Sequence, residues 1–174
     1  KRMALCFGLK DLSDLSEKVN DFLKLDLKGS LFDIIGKGYE IFKRVREATS
    51  TKLVDSAPCQ EVILKEEASL SVLPIPKFWP LDGGPYITLP QVITHNPRTG
   101  KRNVGMYRLQ VIGDKKLVVH WQLHKNGREC EELARSLGIR YIPCAVALGG
   151  DPLCTWAAIL PFPQDVDEYM IVSF

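Results

Sequence analysis

The sequence predicts an α+β fold in two parts: a helical stretch over residues 1–57, then a domain over 58–174 built on a small antiparallel sheet or barrel with flanking helices. Two observations carry the prediction. Up to Ala48 the apolar residues recur at helical spacing. After Pro58 they fall in short alternating runs, each closed by a cluster of Gly, Pro, Asn or Asp.

The elements follow in order. Asp11 to Leu25 reads as a helix, with Leu12, Leu15, Val19, Phe22 and Leu23 on one face and Asp11 or Ser13 at its start. Ser30 to Ala48 reads as a second helix, with Lys43, Arg44 and Arg46 suiting its C-terminal end. Glu61 to Leu64 reads as a short strand, and Ser69 to Lys77 as extended, Pro-punctuated chain. Trp79 to Pro85 can only be an irregular loop. Tyr86 to Thr94, Asn103 to Ile112 and Leu117 to His124 read as the three strands of an antiparallel meander. Gly127 to Leu137 is a helix, Tyr141 to Leu148 a buried strand, and Asp151 to Leu160 a helix. Pro161-Phe162-Pro163 breaks the pattern, and Asp167 to Phe174 begins another helix.

The chain has 174 residues, 45% of them hydrophobic and 25% charged, which suits a soluble globular domain or slightly more than one. No apolar run approaches the ~18 residues of a membrane helix, and no secretory signal pattern is present. The five cysteines are odd in number and never at C-x-x-C spacing, which argues against zinc or a disulfide framework and for a reducing, cytoplasmic setting. Cys144 and Cys154 lie in apolar context and are expected in the core. The opening Lys1-Arg2-Met3 and a last periodic segment without a stop signal suggest a segment of a longer protein. From His95 to Arg128 there are eight Lys/Arg and one acid, Asp114, a balance that favours an anionic partner or a Lys-studded sheet edge.

Chemistry concentrates on one hairpin. Asn103-Val104-Gly105-Met106-Tyr107-Arg108 is followed sixteen residues after Arg108 by His124. A carboxamide, a guanidinium and an imidazole there can together hold a metal, a phosphate and a carboxylate. On a regular strand His120, Gln122 and His124 share one face, turned to solvent or to a site. Asn103 and Arg108, five positions apart, fall on opposite faces unless a bulge intervenes, and Gly105 is the obvious place for it. Asp82-Gly83-Gly84-Pro85 reads as a tight turn or a close backbone approach. Gly149-Gly150-Asp151-Pro152 reads as a helix start capped by Asp151, or as an anion-binding junction. No Walker loop, Gly-x-Gly-x-x-Gly, His-Glu-x-x-His or Gly-x-Ser-x-Gly occurs, and no carboxylate pair accompanies the hairpin. The chemistry therefore comes from a cofactor or from an acid outside this chain.

Five ordered blocks resemble the UbiD-type decarboxylases. They are Leu73-Pro74-Ile75-Pro76-Lys77-Phe78-Trp79-Pro80, Asp82-Gly83-Gly84-Pro85-Tyr86-Ile87-Thr88, Arg102-Asn103-Val104-Gly105-Met106-Tyr107-Arg108, Ala145-Val146-Ala147-Leu148-Gly149-Gly150-Asp151-Pro152, and Pro161-Phe162-Pro163 with Asp167-Glu168-Tyr169. The resemblance implies an FMN-binding split β-barrel and prenylated FMN as cofactor. It also implies Mn2+ or Mg2+, and K+, tying the flavin phosphate to the protein. The implied reaction is reversible, non-oxidative decarboxylation of an aromatic or α,β-unsaturated acid, as in ubiquinone or menaquinone synthesis. A flavin prenyltransferase would supply the cofactor, and the full-length protein would be a homo-oligomer with no nucleic-acid partner and no membrane span.

By the same resemblance Asn103 and His124 match metal-site residues. Met106, Tyr107 and Arg108 match the segment that lines the flavin, and Arg108 matches the catalytic Arg that orients the substrate carboxylate. His120, Trp121, Gln122, Lys125 and Asn126 match the second flavin-lining strand and its turn, and Leu160-Pro161 a loop over the ring. Leu123 stands where some members have Gln, and Lys125-Asn126 where some have Arg-Gly. A third metal ligand and the acid/base carboxylates would lie beyond Phe174, so the fragment alone is expected to be inactive. The alternatives are a non-catalytic barrel that binds FMN or phosphate, and, ranked last, a single-strand nucleic-acid binder stacking bases on Tyr107 and Trp121.

Overall fold

The computed structural model describes residues 1–23, 54–160 and 167–169. The helix expected over Ser30–Ala48 lies outside the described residues, as do Pro161-Phe162-Pro163 and residues 170–174 of the last expected helix. Two helices open the chain, α1 (Arg2–Cys6) and α2 (Leu12–Leu23). The Asp11 carboxylate accepts the Ser13 N–H at 3.0 Å at the start of α2, the capping role expected of it. The sequence reading missed α1, which is only five residues long.

Among the described residues six strands follow: β1 (Tyr86–Ile87), β2 (Gln91–His95), β3 (Arg102–Met106), β4 (Leu109–Gly113), β5 (Lys116–Val119) and β6 (Ala145–Ala147). Two further helices are α3 (Asn126–Ser136) and α4 (Pro152–Ala157). The strands form two three-stranded antiparallel sheets, ordered β1-β4-β5 and β3-β2-β6. Among the described residues no closed barrel forms.

The expected meander fails for a specific reason. The runs 86–95 and 102–113 do pair antiparallel, but each leaves one sheet and enters the other at the same level. On one side the interruption is Thr88-Leu89-Pro90, and on the other it is Tyr107-Arg108. Three residues therefore face two, an extra residue of the kind that turns a sheet corner. Pro90 has no N–H for a ladder, which suits it to the break. The bulge expected at Gly105 is absent, since β2 and β3 keep an unbroken register from Gln91↔Met106 to His95↔Arg102. A real bulge lies between Val111 and Gly113 in the β4–β5 pair.

Other expectations also need correction. Val62 and Ile63 are exposed, residues 61–62 form a bend, 63–64 are irregular, and among the described residues no strand pairs with them. The strand expected over Tyr141–Leu148 shrinks to β6, a mostly exposed partner of β2, while Tyr141 is 77% exposed. The strand expected to reach His124 stops at Val119. Its partner β4 begins only at Leu109, and beyond a last backbone bond from His120 N–H to Arg108 O (3.1 Å) nothing remains to pair with. Cys144 is exposed and Cys154 half-buried; Cys130 on α3 is the cysteine that reaches the core.

The core sits at the corner. Val92, Tyr107 and Leu109 are buried together, with Ile87, Leu117, Val119 and Trp121 packed around them. The α3 helix buries Gly127, Cys130 and Ala134, one face at i, i+3, i+7 spacing, and packs on β2 and β3. None of the helices in the described residues is long and apolar enough to cross a membrane.

Candidate functional site

Tyr107 organises the region. It is 4% exposed, and its ring meets Trp121 edge-to-face at 4.7 Å between centroids. Its hydroxyl oxygen accepts the Gly127 N–H at 3.0 Å, so the residue that follows β3 also holds the first turn of α3. Burial pushes the phenol above its ordinary pKa, against the lowering pull of the Gly127 N–H and the Asn103 side chain. Two glycines make room for this ring. A Cβ on Gly105 would lie 2.4 Å from Tyr107 Cε2, and one on Gly127 would lie 2.4 Å from Trp121 Cζ3 and 2.8 Å from the Tyr107 hydroxyl. Gly105 is therefore needed for a close approach, in place of the bulge expected there.

Asn103 lies on β3, buried, and its Nδ2 donates to Thr94 Oγ1 at 3.2 Å. Met106 ends the strand half-buried, and its N–H donates to Ala158 O at 3.0 Å, two residues before Leu160. Arg108 is exposed, with its guanidinium carbon 5.1 Å from the centre of the Tyr86 ring. His120, Gln122 and His124 are exposed on the turn that leads to α3. The strand ends before them, so the shared face expected of them is not enforced by a pleat. Lys125 is the N-cap residue of α3 and Asn126 its first residue. Pro161 lies outside the described residues.

The structure thus brings the 103–108 segment together with Trp121, Gly127 and Ala158 through the contacts of Tyr107 and Met106. The basic window is less free than its count suggests. Arg102 pairs with Asp167 at 2.6 Å, and Arg128 pairs with Glu131 and Glu132 at 2.7 and 2.8 Å. The first turn of α3 is also occupied from within: the Gly127 N–H goes to Tyr107 and those of Arg128 and Glu129 to Lys125 O. The glycine motifs resolve as turns. Asp151 caps α4 by accepting the Leu153 N–H at 2.8 Å, behind Gly149 and Gly150 at φ of 77° and 94°. Asp82 closes its turn by accepting the Trp79 N–H at 3.1 Å.

One acid near the hairpin stands in the sequence only as part of a resembling block, with no role given to it. Glu168 is 3% exposed, and its Oε2 accepts the Val104 N–H at 2.8 Å. Burial raises its carboxyl above the ordinary range, with the Val104 N–H pulling the other way. Spacing and periodicity could not tie it to the hairpin, because 64 residues separate it from its partner.

An open apolar groove of about 430 Å³ is lined by Leu73, Ile75, Phe78, Tyr86, Ile87 and Leu148 among others. Tyr86 thus belongs to both the groove wall and the Arg108 stack. An apolar slot with a guanidinium over the ring of one of its wall residues suits a flat or unsaturated carbon skeleton that carries a carboxylate. For a hard divalent cation, the Asn103 oxygen and the His124 imidazole are suitable donors. Among the described residues no group of three or more His, Cys, Asp or Glu stands ready to complete such a site.

The comparisons agree with this architecture. Residues 52–174 match the family described as UbiD: 3-octaprenyl-4-hydroxybenzoate carboxy-lyase Rift-related domain. The chain belongs to the UbiD family. An uncharacterized protein of Aquifex aeolicus is 41% identical over 99% of this chain, which covers 35% of that protein. The vanillic acid decarboxylase of Sedimentibacter hydroxybenzoicus in closed form superposes with a TM-score of 0.70 at 26% identity, over 98% of this chain and 33% of that one. The UbiD-class enzyme HmfF from Pelotomaculum thermopropionicum in complex with FMN gives 0.63 at 30% identity, over 76% of this chain and 31% of that one. An evolved dimeric form of HmfF is in complex with prFMN. The chain therefore spans about one third of the length of the relatives it matches.

Proposed function

We propose that the full-length protein is a carboxy-lyase that removes CO2, reversibly and without net oxidation, from an aromatic or α,β-unsaturated carboxylic acid. The observation that carries this is the apolar groove whose Tyr86 wall is stacked by Arg108, in a chain of the UbiD family. The groove holds the carbon skeleton. The Arg108 fork takes the carboxylate, which a Lys would meet only as a point charge. The proposed cofactor is prenylated FMN, in a domain of split-barrel type formed by residues 58–174. When bound it supplies an electron sink for the pair left behind as the C–COO⁻ bond breaks. A proton must then reach the same carbon from an acid, and the two acids placed against β3 are engaged elsewhere, Asp167 with the Arg102 guanidinium and Glu168 with the Val104 N–H. That acid is proposed to come from the rest of the protein.

Asn103 and His124 are the residues that would hold Mn2+ or Mg2+, with K+, against the cofactor phosphate. Met106, Trp121, Gln122, Lys125, Asn126 and Leu160 would flank the cofactor. Tyr107 takes part through its backbone, because its side chain is committed to Trp121 and Gly127. A cytoplasmic homo-oligomer, supplied by a flavin prenyltransferase, completes the proposal.

The test is the absorbance spectrum and mass of the cofactor bound to the full-length protein co-expressed with a flavin prenyltransferase, in wild type and Asn103→Ala. Prenylated FMN in wild type, lost in the variant, supports both cofactor and anchor. Unmodified FMN retained without turnover favours a non-catalytic binding module. No flavin in either protein refutes the proposal.

A further inference from the structure

We propose that Gln91 is a specificity-determining positioning residue: it fixes the width of the apolar groove by holding the Leu148-Gly149 wall, a role that rests on the groove taking the carbon skeleton of the acid substrate. Three stretches of chain line the groove, drawn from 73–78, 86–89 and 148–149. The first two are joined through the backbone, the Tyr86 N–H donating to Pro76 O at 3.1 Å. The third follows β6, whose ladder with β2 ends at Gln91↔Ala147. It runs straight into Gly149 and Gly150, at φ of 77° and 94°. A Cβ on either glycine would meet nothing within 4 Å, so the fixing of this turn falls to hydrogen bonds rather than to packing.

Gln91 supplies that fixing. It is 3% exposed and opens β2, immediately after the Thr88-Leu89-Pro90 corner. Its Nε2 donates to Gly149 O and to Thr155 Oγ1 on α4, each at 3.2 Å, and its Oε1 accepts the Tyr169 hydroxyl at 2.6 Å. Both amide hydrogens and the oxygen are thus engaged, which leaves the side chain one orientation. Packing alone would be served by an apolar residue here, as it is at buried Val92 next along the strand. The amide adds a tie between two groove walls, Thr88-Leu89 through the chain and Leu148-Gly149 through the Gly149 carbonyl. A radial gap of about 0.5–1 Å already forfeits about a quarter to a half of a van der Waals contact. The place of Leu148 therefore decides which ring substituents fit.

The experiment measures, by isothermal titration calorimetry on the full-length protein, the affinities for benzoate and for para-tert-butylbenzoate. The proteins are wild type, Leu148→Ala, Gln91→Met, the double variant of these two, and Arg108→Ala. Leu148→Ala is expected to shift the ratio of affinities toward the bulky acid by about tenfold, the low end of what one methylene decides in an apolar pocket. Gln91→Met keeps the volume and removes the amide, and an about three- to tenfold shift in the same direction is expected. Because Gln91 acts through Leu148, the double variant is expected to match Leu148→Ala. A wild-type ratio in Gln91→Met, or a double variant whose shift is the product of the two single ones, overturns the role of Gln91 and leaves the groove as the acid site. Arg108→Ala is expected to weaken both acids equally. Binding that neither Leu148→Ala nor Arg108→Ala alters, or that wild type lacks, sinks the groove reading and the role of Gln91 with it. If Gln91→Met does not fold, Thr155→Val decides, because it leaves Nε2 only one of its two acceptors. An about two- to threefold shift toward the bulky acid is then expected, and no shift overturns the proposal.

Discussion

Replacing Gly127 with Ala separates two physical arguments by sign. Gly127 sits in the first turn of α3, where helix propensity alone makes Ala the better residue by about 1 kcal/mol. The added methyl, however, would lie 2.4 Å from Trp121 Cζ3, 2.8 Å from Tyr107 Oη and 2.9 Å from Tyr107 Cζ. The phenol is buried and its oxygen holds the Gly127 N–H, so the ring cannot move without losing that bond. Overpacking of this kind costs about 1–3 kcal/mol, and parting the edge-to-face ring pair about 0.5–1.5 kcal/mol more. The net expectation is a loss of about 1–3 kcal/mol, or a fall in melting temperature of about 2–4 °C per kcal/mol for a unit of this size. Urea unfolding followed by Trp fluorescence reads the change, because Trp121 is one of the displaced rings. A stability equal to or above wild type would show that Tyr107 does not fill the space beside α3, and the organising role given to it would be wrong.

Four further outcomes follow from the geometry. Under the proposed carboxy-lyase reading, Arg108→Lys should lower kcat/KM for the acid substrate by about 10- to 100-fold, the worth of a charged hydrogen bond, and should behave more like Arg108→Ala than like wild type; steady-state kinetics on the full-length protein decide. Asp151→Ala should cost about 1 kcal/mol by removing the cap on Leu153 N–H, whereas Asp151→Ser should recover most of it, as read by urea midpoints. Burial raises the Tyr169 phenol above its ordinary pKa, so its contribution to stability is complete below about pH 10 and is lost as pH rises through the folded value. Tyr169→Phe should flatten that part of the stability–pH curve, and an unchanged slope would remove Tyr169 as its source. With a thiol reagent, Cys6, Cys59 and Cys144 should label in the folded chain and Cys130 only on unfolding; early labelling of Cys130 would contradict the packing of α3.

How much was legible in the sequence depended on the range of the interaction. Helix α3 was placed within a residue or so, because its signals are local: Gly127 near the start, a periodic apolar face, Leu137-Gly138 at the end. The Asp151 cap and the turn at Asp82 were legible for the same reason. The two-sheet corner was not. The apolar runs 86–95 and 102–113 look continuous, and the register change at Thr88–Pro90 against Tyr107-Arg108 exists only once both strands are side by side. Pro90 was the local clue, a residue that cannot donate within a run otherwise suited to a strand. Parity then misled at both ends of the hairpin. It demanded a bulge at Gly105 that the register does not contain, and it gave His120, Gln122 and His124 a common face on a strand that stops at Val119.

Three of the residues proposed to act, Met106, Tyr107 and Arg108, lie at that corner, and the coincidence has a physical basis. Within a ladder a residue's backbone is committed to a neighbour and its side chain to one of two faces. At Met106–Arg108 the chain is released from the β3 ladder before β4 begins. Met106 can then give its N–H to Ala158, Tyr107 can turn inward to hold α3, and Arg108 can turn outward over Tyr86 at the groove. The price of the release is an edge strand and an interrupted sheet. Both are covered by groups far away in sequence, Glu168 on the edge of β3 and the Tyr107–Trp121 pair under the corner. A site assembled this way shows few local motifs, which is why searches for nucleotide loops, zinc spacings and nucleophile elbows return nothing while the long-range frame is well defined.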